Sequence, residues 1–364
     1  MTALVQAPSV GSRMRALGRR VLMSEFLILY LCIVLFVGLW LVVPTIATPY
    51  NISSLLSNMW PLLVVAIGQT FVLIIAGIDL SQGAVISVTS VLGASFIAQS
   101  ANPIIFEKSP LWGILLFENG AILHDSVLGI PVAIGVMLLV GVFIGALNGA
   151  AVAFARIPAF MVTLVMSMFL AALAILLVKS ENIIDLPDAF QAIGEEFGIG
   201  GDFEFFSVAM VMALVLGLIA HLVLSRTVFG RWLYAVGINP RNAAVSGVPV
   251  RKVIVLTYVF SGFCAAMASI IYTSRVDQGR PTLGEPFLLD IIAAAVIGGA
   301  SLAGGRGKIL WTLYGVIFLT LLGNAMSLLN VPYFYVAIVK GSVILFAALI
   351  DVARRRVLLQ GAGA

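Results

Sequence analysis

Charged residues are scarce in this sequence, and cysteine and histidine are almost absent from it. Asp, Glu, Lys and Arg together make up 10% of the 364 residues, whereas 62% of the residues are hydrophobic. A soluble chain of this length could not bury so much apolar surface. The charges also fall in short clusters between apolar runs of about 20 residues, the length that spans a bilayer core. The composition therefore predicts an integral membrane protein.

With two cysteines and two histidines, the chain has few residues that could form a disulfide or bind a metal. Cys32 and Cys264 fall inside apolar runs, where a structural disulfide is not expected, so we interpret both as packing residues. His124 and His221 are isolated in the sequence, and a lone histidine is more often structural than catalytic. The sequence predicts no metal site, and we expect no cofactor on this chain.

Motif searches argue against an enzyme. The segment Gly304 to Lys308 (GGRGK) approaches a Walker A loop, but that pattern needs glycine at the position of Leu302 and a hydroxyl residue at that of Ile309. The sequence contains no HExxH zinc motif and no GxSxG nucleophile elbow. Its net charge of +4 resides in loops, with no basic patch interleaved with aromatic residues, so it does not indicate nucleic-acid binding.

Ten apolar runs are interpreted as membrane spans, which predicts an all-α integral membrane protein with one transmembrane domain over 26–352. The first run is too long for a signal peptide and is taken as a retained helix. The third and eighth runs are the weakest. The predicted bounds are 26–47, 59–77, 83–100, 127–155, 158–178, 206–225, 252–273, 287–303, 309–329 and 333–352.

Lysine and arginine orient these spans, because cytoplasmic loops are enriched in both residues. With the N-terminus inside, only four of the 20 Lys and Arg residues fall in outer loops: Lys108, Lys179, Arg275 and Arg280. Lys340 lies within the last span, and all others fall inside. Deleting one span would destroy this asymmetry. We therefore predict that both termini are cytoplasmic, with a basic segment at 1–25 and a tail at 353–364.

Two predicted outer loops, 101–126 and 179–205, are long and carry an acidic balance. They are interpreted either as solvated loops or as part of a docking surface for an external partner. The first loop is also apolar enough to form a lip that shields a pathway.

Few polar residues lie within or between the spans, and in a membrane these should face the bundle interior or a water-filled path. The candidates for such a path are Asn58, Gln69, Asp79, Ser81, Asn148, Asp290 and Asn324. Asp79 and Ser81 are equally good N-cap residues for the third span, and the asparagines suit interhelical hydrogen bonding. Asp290 and Lys340 are expected to pair with each other.

The largest predicted inside loop covers about 226–251 and is basic, with Gly237, Pro240 and Gly247 punctuating a short helical piece. Such a piece, held between two spans, could transmit force from a neighbouring subunit. A simple basic anchoring loop is an equally good interpretation of these residues.

Five segments, in the expected order between about residues 60 and 352, resemble signature segments of the permease subunits of ribose, xylose and galactose ABC importers. One such segment would be a weak signal, but five in register are specific. The segments are Gly77–Gly83 (GIDLSQG), Arg156–Phe160 (RIPAF), Gly237–Gly247 (GINPRNAAVSG), Ile297–Gly307 (IGGASLAGGRG) and Val339–Ile344 (VKGSVI).

The resemblance implies the larger, ten-helix (type II-like) permease fold in a bacterial inner membrane. It implies a homo- or heterodimer of permease subunits, two ABC ATPase subunits or domains that bind ATP and magnesium, and a periplasmic or extracellular sugar-binding protein. It also implies that the 226–251 loop is the coupling loop. The implied ATPase-contact residues are Gly237, Asn239, Arg241, Ala243, Ala244, Ser246 and Gly247.

The function implied is inward transport of a monosaccharide or related polyol, with no ATPase site on this chain. A branched-chain amino acid or nucleoside permease would share the topology, but GIDLSQG favours the sugar branch. An ion-coupled secondary transporter would need carboxylates near the midplane of the membrane, and Asp290 is the strongest candidate for one.

Overall fold

The computed structural model describes residues 26–198, 204–332 and 334–346, together with Leu349. The predicted basic segment 1–25 and tail 353–364 lie outside the described residues. The first half contains α1 (Leu27–Val42), α2 (Pro49–Ile74), α3 (Gln82–Ile97), α4 (Pro103–Phe106), β1 (Leu116–Phe117), β2 (Gly120–Ala121), α5 (Gly129–Ala153) and α6 (Ala159–Val178). The second half contains α7 (Asp188–Gln191), β3 (Glu196–Gly198), β4 (Glu204–Ser207), α8 (Val208–Arg226), α9 (Val228–Ile238), α10 (Pro240–Val245), α11 (Val250–Val276), α12 (Leu288–Ile297), α13 (Ile309–Leu328) and α14 (Phe334–Phe346).

Six helices in the described part of the chain are long and apolar enough to cross a membrane, namely α2, α5, α6, α8, α11 and α13. The remaining four predicted spans coincide with α1, α3, α12 and α14, which are shorter. Length and composition therefore support six crossings, and the count of ten stays a prediction. Helix α2 begins ten residues earlier than predicted, because Pro49 opens it and its polar first turns are helical.

Helices α2 and α11 form an antiparallel pair at the centre of the molecule. Near one end the rings of Phe71 and Phe260 lie 4.5 Å apart, and near the other end Arg275 donates a 2.8 Å hydrogen bond to Asn58. The most apolar stretch of α2 is 94% buried and that of α11 is 61% buried. This pair is therefore the main interior element of the fold.

Helix α5 packs closely on α11 through Gly141, Gly145 and Gly149, which recur every fourth residue on one face. A Cβ atom on Gly145 would lie 2.3 Å from the carbonyl oxygen of Tyr258. Small residues at this spacing let two helix backbones approach, which is the usual means of close packing in membranes. Any side chain at Gly145 would push the two helices apart.

Each helix of the central pair opens a similar unit: a long helix, a link without α-helix and a short helix. We name α2, link 75–81 and α3 the first unit, and α11, link 277–287 and α12 the second unit. In both, a residue in left-handed conformation stops the long helix, Ala76 with φ of 62° and Asp277 with φ of 53°. Because α2 and α11 are antiparallel, the two units are inverted, as in many transporter folds.

Helix α3 starts well inside the bundle. The Gln82 side chain, at its first position, donates a 3.3 Å hydrogen bond to the carbonyl oxygen of Val65 in α2. From Val65, α2 continues to Ile74, a rise of about 14 Å. In the predicted topology, where α2 ends at the inner face of a bilayer core about 30 Å thick, α3 begins roughly half-way across that core. The predicted third and eighth spans, 83–100 and 287–303, coincide with helices of 16 and ten residues.

The two long loops that are predicted to lie outside have a folded, partly buried structure. They share an apolar cluster in which the side chains of Phe106, Leu116, Ile183 and Phe190 are all buried. Strands β1 and β2 form one antiparallel hairpin, and β3 and β4 form another. Among the described residues the strands lie in the two long loops, so the all-α prediction describes the membrane-spanning part and misses these hairpins.

Candidate functional site

The link of the first unit carries a buried carboxylate, Asp79, with 2% of its surface exposed. It accepts hydrogen bonds from the backbone N–H of Ser81 at 3.0 Å and from the Ser81 hydroxyl at 2.6 Å. Its other oxygen accepts a 2.6 Å hydrogen bond from the hydroxyl of Ser261 in α11. The carboxylate therefore ties the link to the neighbouring long helix.

Two amides complete this cluster. Asn148 of α5 donates to the Ser81 hydroxyl at 2.9 Å, and Gln82 donates to the Ser261 hydroxyl at 2.8 Å. Ser81 occupies the N-cap position of α3, but its hydroxyl accepts no cap hydrogen bond. The expectation that Ser81 caps α3 is wrong, because its hydroxyl serves Asp79 instead. Sequence reasoning missed Ser261 and Gln82, although Gln82 belongs to the GIDLSQG segment.

The link of the second unit runs antiparallel along α3. The N–H of Arg280 donates to the hydroxyl of Ser90 at 3.2 Å, and the N–H of Gly284 donates to that of Ser87 at 3.0 Å. At the crossing of the two units, a Cβ atom on Gly284 would lie 1.8 Å from the carbonyl oxygen of Gly83. The two units thus meet backbone to backbone near the start of α3.

The second link differs from the first because it exposes charged side chains. Arg280 and Glu285 are exposed, and Glu285 directly follows the glycine that touches the start of α3. In the predicted topology this position lies about half-way through the membrane core. Charges at that depth are costly in lipid and usually face a water-filled cavity or another protein. This face of the second unit is therefore suited to line a path.

The predicted pair of Asp290 and Lys340 is confirmed. The Lys340 ammonium lies 2.6 Å from the Asp290 carboxylate, and the carboxylate side chain is 11% exposed. This contact connects α12 of the second unit to α14.

Three further candidates lie apart from the Asp79 cluster. Asn324 of α13 forms a reciprocal amide pair with Asn51 of α2, at 2.8 and 3.0 Å. Gln69 is fully buried in α2, and neither of its amide atoms has a hydrogen-bond partner within the described ranges. Asn58 contacts Arg275 at the predicted outer end. The structure therefore brings together Asp79, Ser81 and Asn148, but not the other candidates.

A polar cavity of about 490 Å³ lies near that same outer end, between α2, α11 and the 179–205 loop. Its lining includes Ser53, Ser54, Glu195, Glu196 and Arg275, and Ser53 hydrogen-bonds to Glu196. The only sequence signal for this cavity was the acidic balance of the loop. Its hydroxyl and charged groups suit a hydroxylated solute.

The GINPRNAAVSG segment forms a short helix, α10, with a strong N-terminal cap. The Asn239 side chain accepts hydrogen bonds from the N–H groups of Arg241 at 3.0 Å and Asn242 at 3.1 Å. Pro240 occupies the first helical position, where its missing N–H costs nothing. The start of α10 is therefore fixed by its own sequence.

The end of α10 is equally well defined. The N–H of Val248 donates to the carbonyl of Ala243, and that of Gly247 to the carbonyl of Ala244, both at 3.0 Å. This is the Schellman arrangement, which needs a left-handed residue, and Gly247 has φ of +82°. A helix closed at both ends in this way is a rigid element.

One face of α10 and the residues just before it are exposed to solvent. Ala243 is buried, but Arg241, Ala244, Ser246 and Gly247 are exposed. Two apolar side chains are also exposed, Ile238 at 75% and Val245 at 90%. An exposed face that mixes apolar and basic groups is typical of a docking surface.

The opposite side of this segment is tightly packed. A Cβ atom on Gly237 would lie 1.8 Å from the carbonyl oxygen of Ile74, the last residue of α2. The same carbonyl accepts a 2.8 Å hydrogen bond from the N–H of Gly305. We name the contact of Gly237, Ile74 and Gly305 the inner junction. It joins α9 to the first unit and to the 301–307 loop, which follows α12 of the second unit.

The glycine-rich GGRGK sequence is explained by this packing. Gly304 and Gly305 have φ of 81° and 74°, a conformation that other residues rarely adopt. The Tyr234 hydroxyl of α9 donates a 2.7 Å hydrogen bond to the carbonyl of Gly307. Burial raises the pKa of Tyr234, which keeps its phenol protonated as a donor. No group of three or more potential metal ligands occurs in the part of the chain that the structure describes.

Residues 51–353, which include both units and the inner junction, match the protein family described as branched-chain amino acid transport system / permease component. This chain belongs to that permease family. The match covers most of the sequence and includes the five segments on which the resemblance to ABC importer permeases rests.

Individual members of the family are similar over most of their length. The chain is 33% identical to the ribose import permease protein RbsC of Haemophilus influenzae, over 83% of this chain and 84% of that protein. It is 34% identical to RbsC of Bacillus subtilis, over 87% and 91%. It is 31% identical to the L-arabinose ABC transporter permease protein AraH of Azospirillum brasilense, over 97% and 93%. No solved structure matches the chain.

Proposed function

We propose that this chain is the membrane-spanning permease subunit of a binding-protein-dependent ABC importer that carries a monosaccharide or related polyol inward. The similar permeases are named for ribose, L-arabinose, galactose and xylose. These names favour a sugar over a branched-chain amino acid or a nucleoside as the solute. ATP is hydrolysed on two separate ATPase subunits, and an external sugar-binding protein delivers the solute.

In this proposal the chain crosses a bacterial inner membrane ten times, with both ends in the cytoplasm, and works as a dimer. The distribution of Lys and Arg supports this orientation. The four short helices α1, α3, α12 and α14 supply the crossings beyond the six long ones. In the third and eighth crossings, the link that precedes the short helix covers the part of the membrane that this helix does not span.

The inner junction is the observation that carries the proposed mechanism. The exposed face of α10 docks on an ATPase subunit, and closure of the ATPases on ATP pushes on α10. Because Gly237 contacts both Ile74 and Gly305, the push reaches the inner end of the first unit and the loop that follows the second unit. A rigid, doubly capped α10 transmits this displacement better than a flexible loop would.

The solute path in this proposal follows the exposed link of the second unit, between two permease subunits. Arg280 and Glu285 offer the hydrogen-bonding groups that a hydroxylated solute needs. Asp79, Ser81 and Asn148 are too deeply buried to line the path in this conformation, and their role is to hold the first unit together. The polar cavity near Arg275 lies where the solute enters.

An ion-coupled secondary transporter is less well supported. Its strongest candidate for a coupling carboxylate was Asp290, and this group is paired with Lys340. A paired carboxylate is a poor site for binding and releasing a coupling ion.

The test is reconstitution in liposomes with the cognate ATPase and binding protein. Uptake of ribose, arabinose, xylose or galactose should require ATP. Accumulation by this chain alone on a proton or sodium gradient would refute the proposal. Ala244→Trp on the exposed face of α10 should detach the ATPase in a co-purification assay, whereas His221→Ala, outside the docking face, should not.

A further inference from the structure

An apolar groove opens on the side of the molecule between α2, α8, α9 and α11. Its volume is about 230 Å³, and it is lined mainly by Phe71, Ile219, Val223, Phe229, Leu256 and Phe260. The contacting rings of Phe71 and Phe260 form part of its wall. This groove plays no part in the proposed transport mechanism.

The rims of the groove are exposed and apolar. On its two rims Ile219 of α8 and Leu256 of α11 are each 51% exposed. Further apolar side chains of α8, including Leu218 and Leu222, are exposed beside it at 60% and 46%. An apolar surface of this kind on a membrane helix is in contact with acyl chains or with another protein.

Two basic side chains continue the groove toward its predicted cytoplasmic end. Arg226 follows Val223 by three positions, so both lie on one face of α8. Lys252 precedes Leu256 by four positions, so both lie on one face of α11. Arg226 and Lys252 are exposed, and neither forms an ion pair with a residue in the described ranges.

We propose that this groove binds an anionic phospholipid of the cytoplasmic leaflet. The acyl chain occupies the apolar groove, and the phosphate contacts Arg226 and Lys252. A basic pocket between membrane helices on the cytoplasmic side is the arrangement that recognises anionic head groups. A second copy of this chain is not the expected occupant. A symmetric contact would bring the basic ends of the two grooves together without a counter-charge.

Native mass spectrometry of the purified full-length chain tests this proposal. The chain is incubated with phosphatidylglycerol and phosphatidylcholine of identical acyl chains at equal concentration. The wild-type chain should retain at least fivefold more phosphatidylglycerol. In R226A/K252A the preference should fall to about one, whereas R226K/K252R should keep it. The matched control R241A/R306A removes two exposed basic groups elsewhere and should also keep the preference.

A second variant tests the apolar part. Ala220→Phe fills the groove without changing the charge, so retention of both lipids should fall at least threefold. If R226A/K252A does not purify in folded form, R226A and K252A are measured singly, and each should lower the preference at least twofold. An unchanged preference in the charge variants would overturn the proposal. So would efficient cross-linking of two Ile219→Cys chains through this groove.

Discussion

The two inverted units share a plan but differ in what their links expose. In the first unit the link is largely buried, and Asp79 holds it to Ser261 of α11 directly and to Asn148 of α5 through the Ser81 hydroxyl. In the second unit the link runs along α3 and leaves Arg280 and Glu285 exposed. Both links contain irregular backbone that the predicted topology places at membrane depth, where it is tolerated only inside protein or beside a water-filled cavity. The first link meets the former condition, and in the proposed path the second link meets the latter.

This difference indicates a division of labour. A link held by a dense, buried hydrogen-bond cluster is a rigid frame. The second link is held mainly through its own backbone, and it is followed by a ten-residue helix with one ion pair. Such a link can shift while fewer hydrogen bonds are broken. We therefore expect substitutions in the first unit to affect folding, and those in the second to affect transport.

The largest effect is expected from Asp79→Ala. Removal of the carboxylate leaves buried hydroxyl and N–H donors without their acceptor, at a cost of about 3 kcal/mol of unfolding free energy. Asp277→Ala, in the link of the second unit, should change stability by less than about 1 kcal/mol. Denaturation by SDS, followed by circular dichroism, measures both. Equal losses would remove the distinction between the units.

The next effect is expected at the crossing of the units. Gly284→Ala places a Cβ atom against the Gly83 carbonyl, so the second link must move away from α3. ATP-driven uptake should fall at least tenfold, while the amount of folded protein in the membrane falls less than twofold. Gly135→Ala is the matched control, because a Cβ atom there meets nothing within 4 Å. A crossing that tolerates Gly284→Ala would mean that the two units do not need this contact.

A smaller effect is expected from the ion pair. Lys340→Met leaves the Asp290 carboxylate buried without a counter-charge. This should cost about 2 kcal/mol, below the range for fully buried pairs because Lys340 is 24% exposed. The double variant D290N/K340M should recover at least half of that loss. A double-mutant cycle on thermal stability gives the coupling energy between Asp290 and Lys340. A coupling energy of zero would show that the ion pair does not stabilise the contact of α12 with α14.

The smallest effect is expected from Glu285→Gln. If the exposed link lines the path, loss of this charge should raise the KM for sugar uptake about threefold with little change in stability. Glu181→Gln, in an outer loop away from the link, serves as the control. An unchanged KM in E285Q would place the path elsewhere.

Sequence reasoning predicted the helices well but not the depth at which they start. Hydropathy located α5, α6, α8 and α13 within a few residues, because each is apolar throughout. It could not show that α12 is a helix of only ten residues, since the apolar run of the predicted eighth span continues past Ile297 into the following loop. The first turns of α2, which include Asn51, were not assigned to a helix because their polar residues lower the hydropathy of that segment.

The candidate site was predicted in part. The short helix α10 was expected because Asn239, Pro240 and Gly247 are local signals whose effect depends only on neighbouring residues. The partner of Gly237 was not, because Ile74 is more than 150 positions away and its carbonyl carries no sequence signal. Likewise, Asp79 was singled out by its motif, but its contact with Ser261 depends on the packing of two distant helices.

The inner junction is the central element of the proposed coupling mechanism, and the variant Gly237→Ala tests its role. The reconstituted complex is assayed for sugar uptake and ATP hydrolysis together, with Gly135→Ala as control. Because a Cβ atom at position 237 displaces α9 from Ile74 and Gly305, the account predicts that the ATPase still co-purifies but that uptake per ATP hydrolysed falls at least tenfold. An unchanged ratio of uptake to hydrolysis in a folded Gly237→Ala complex would contradict it.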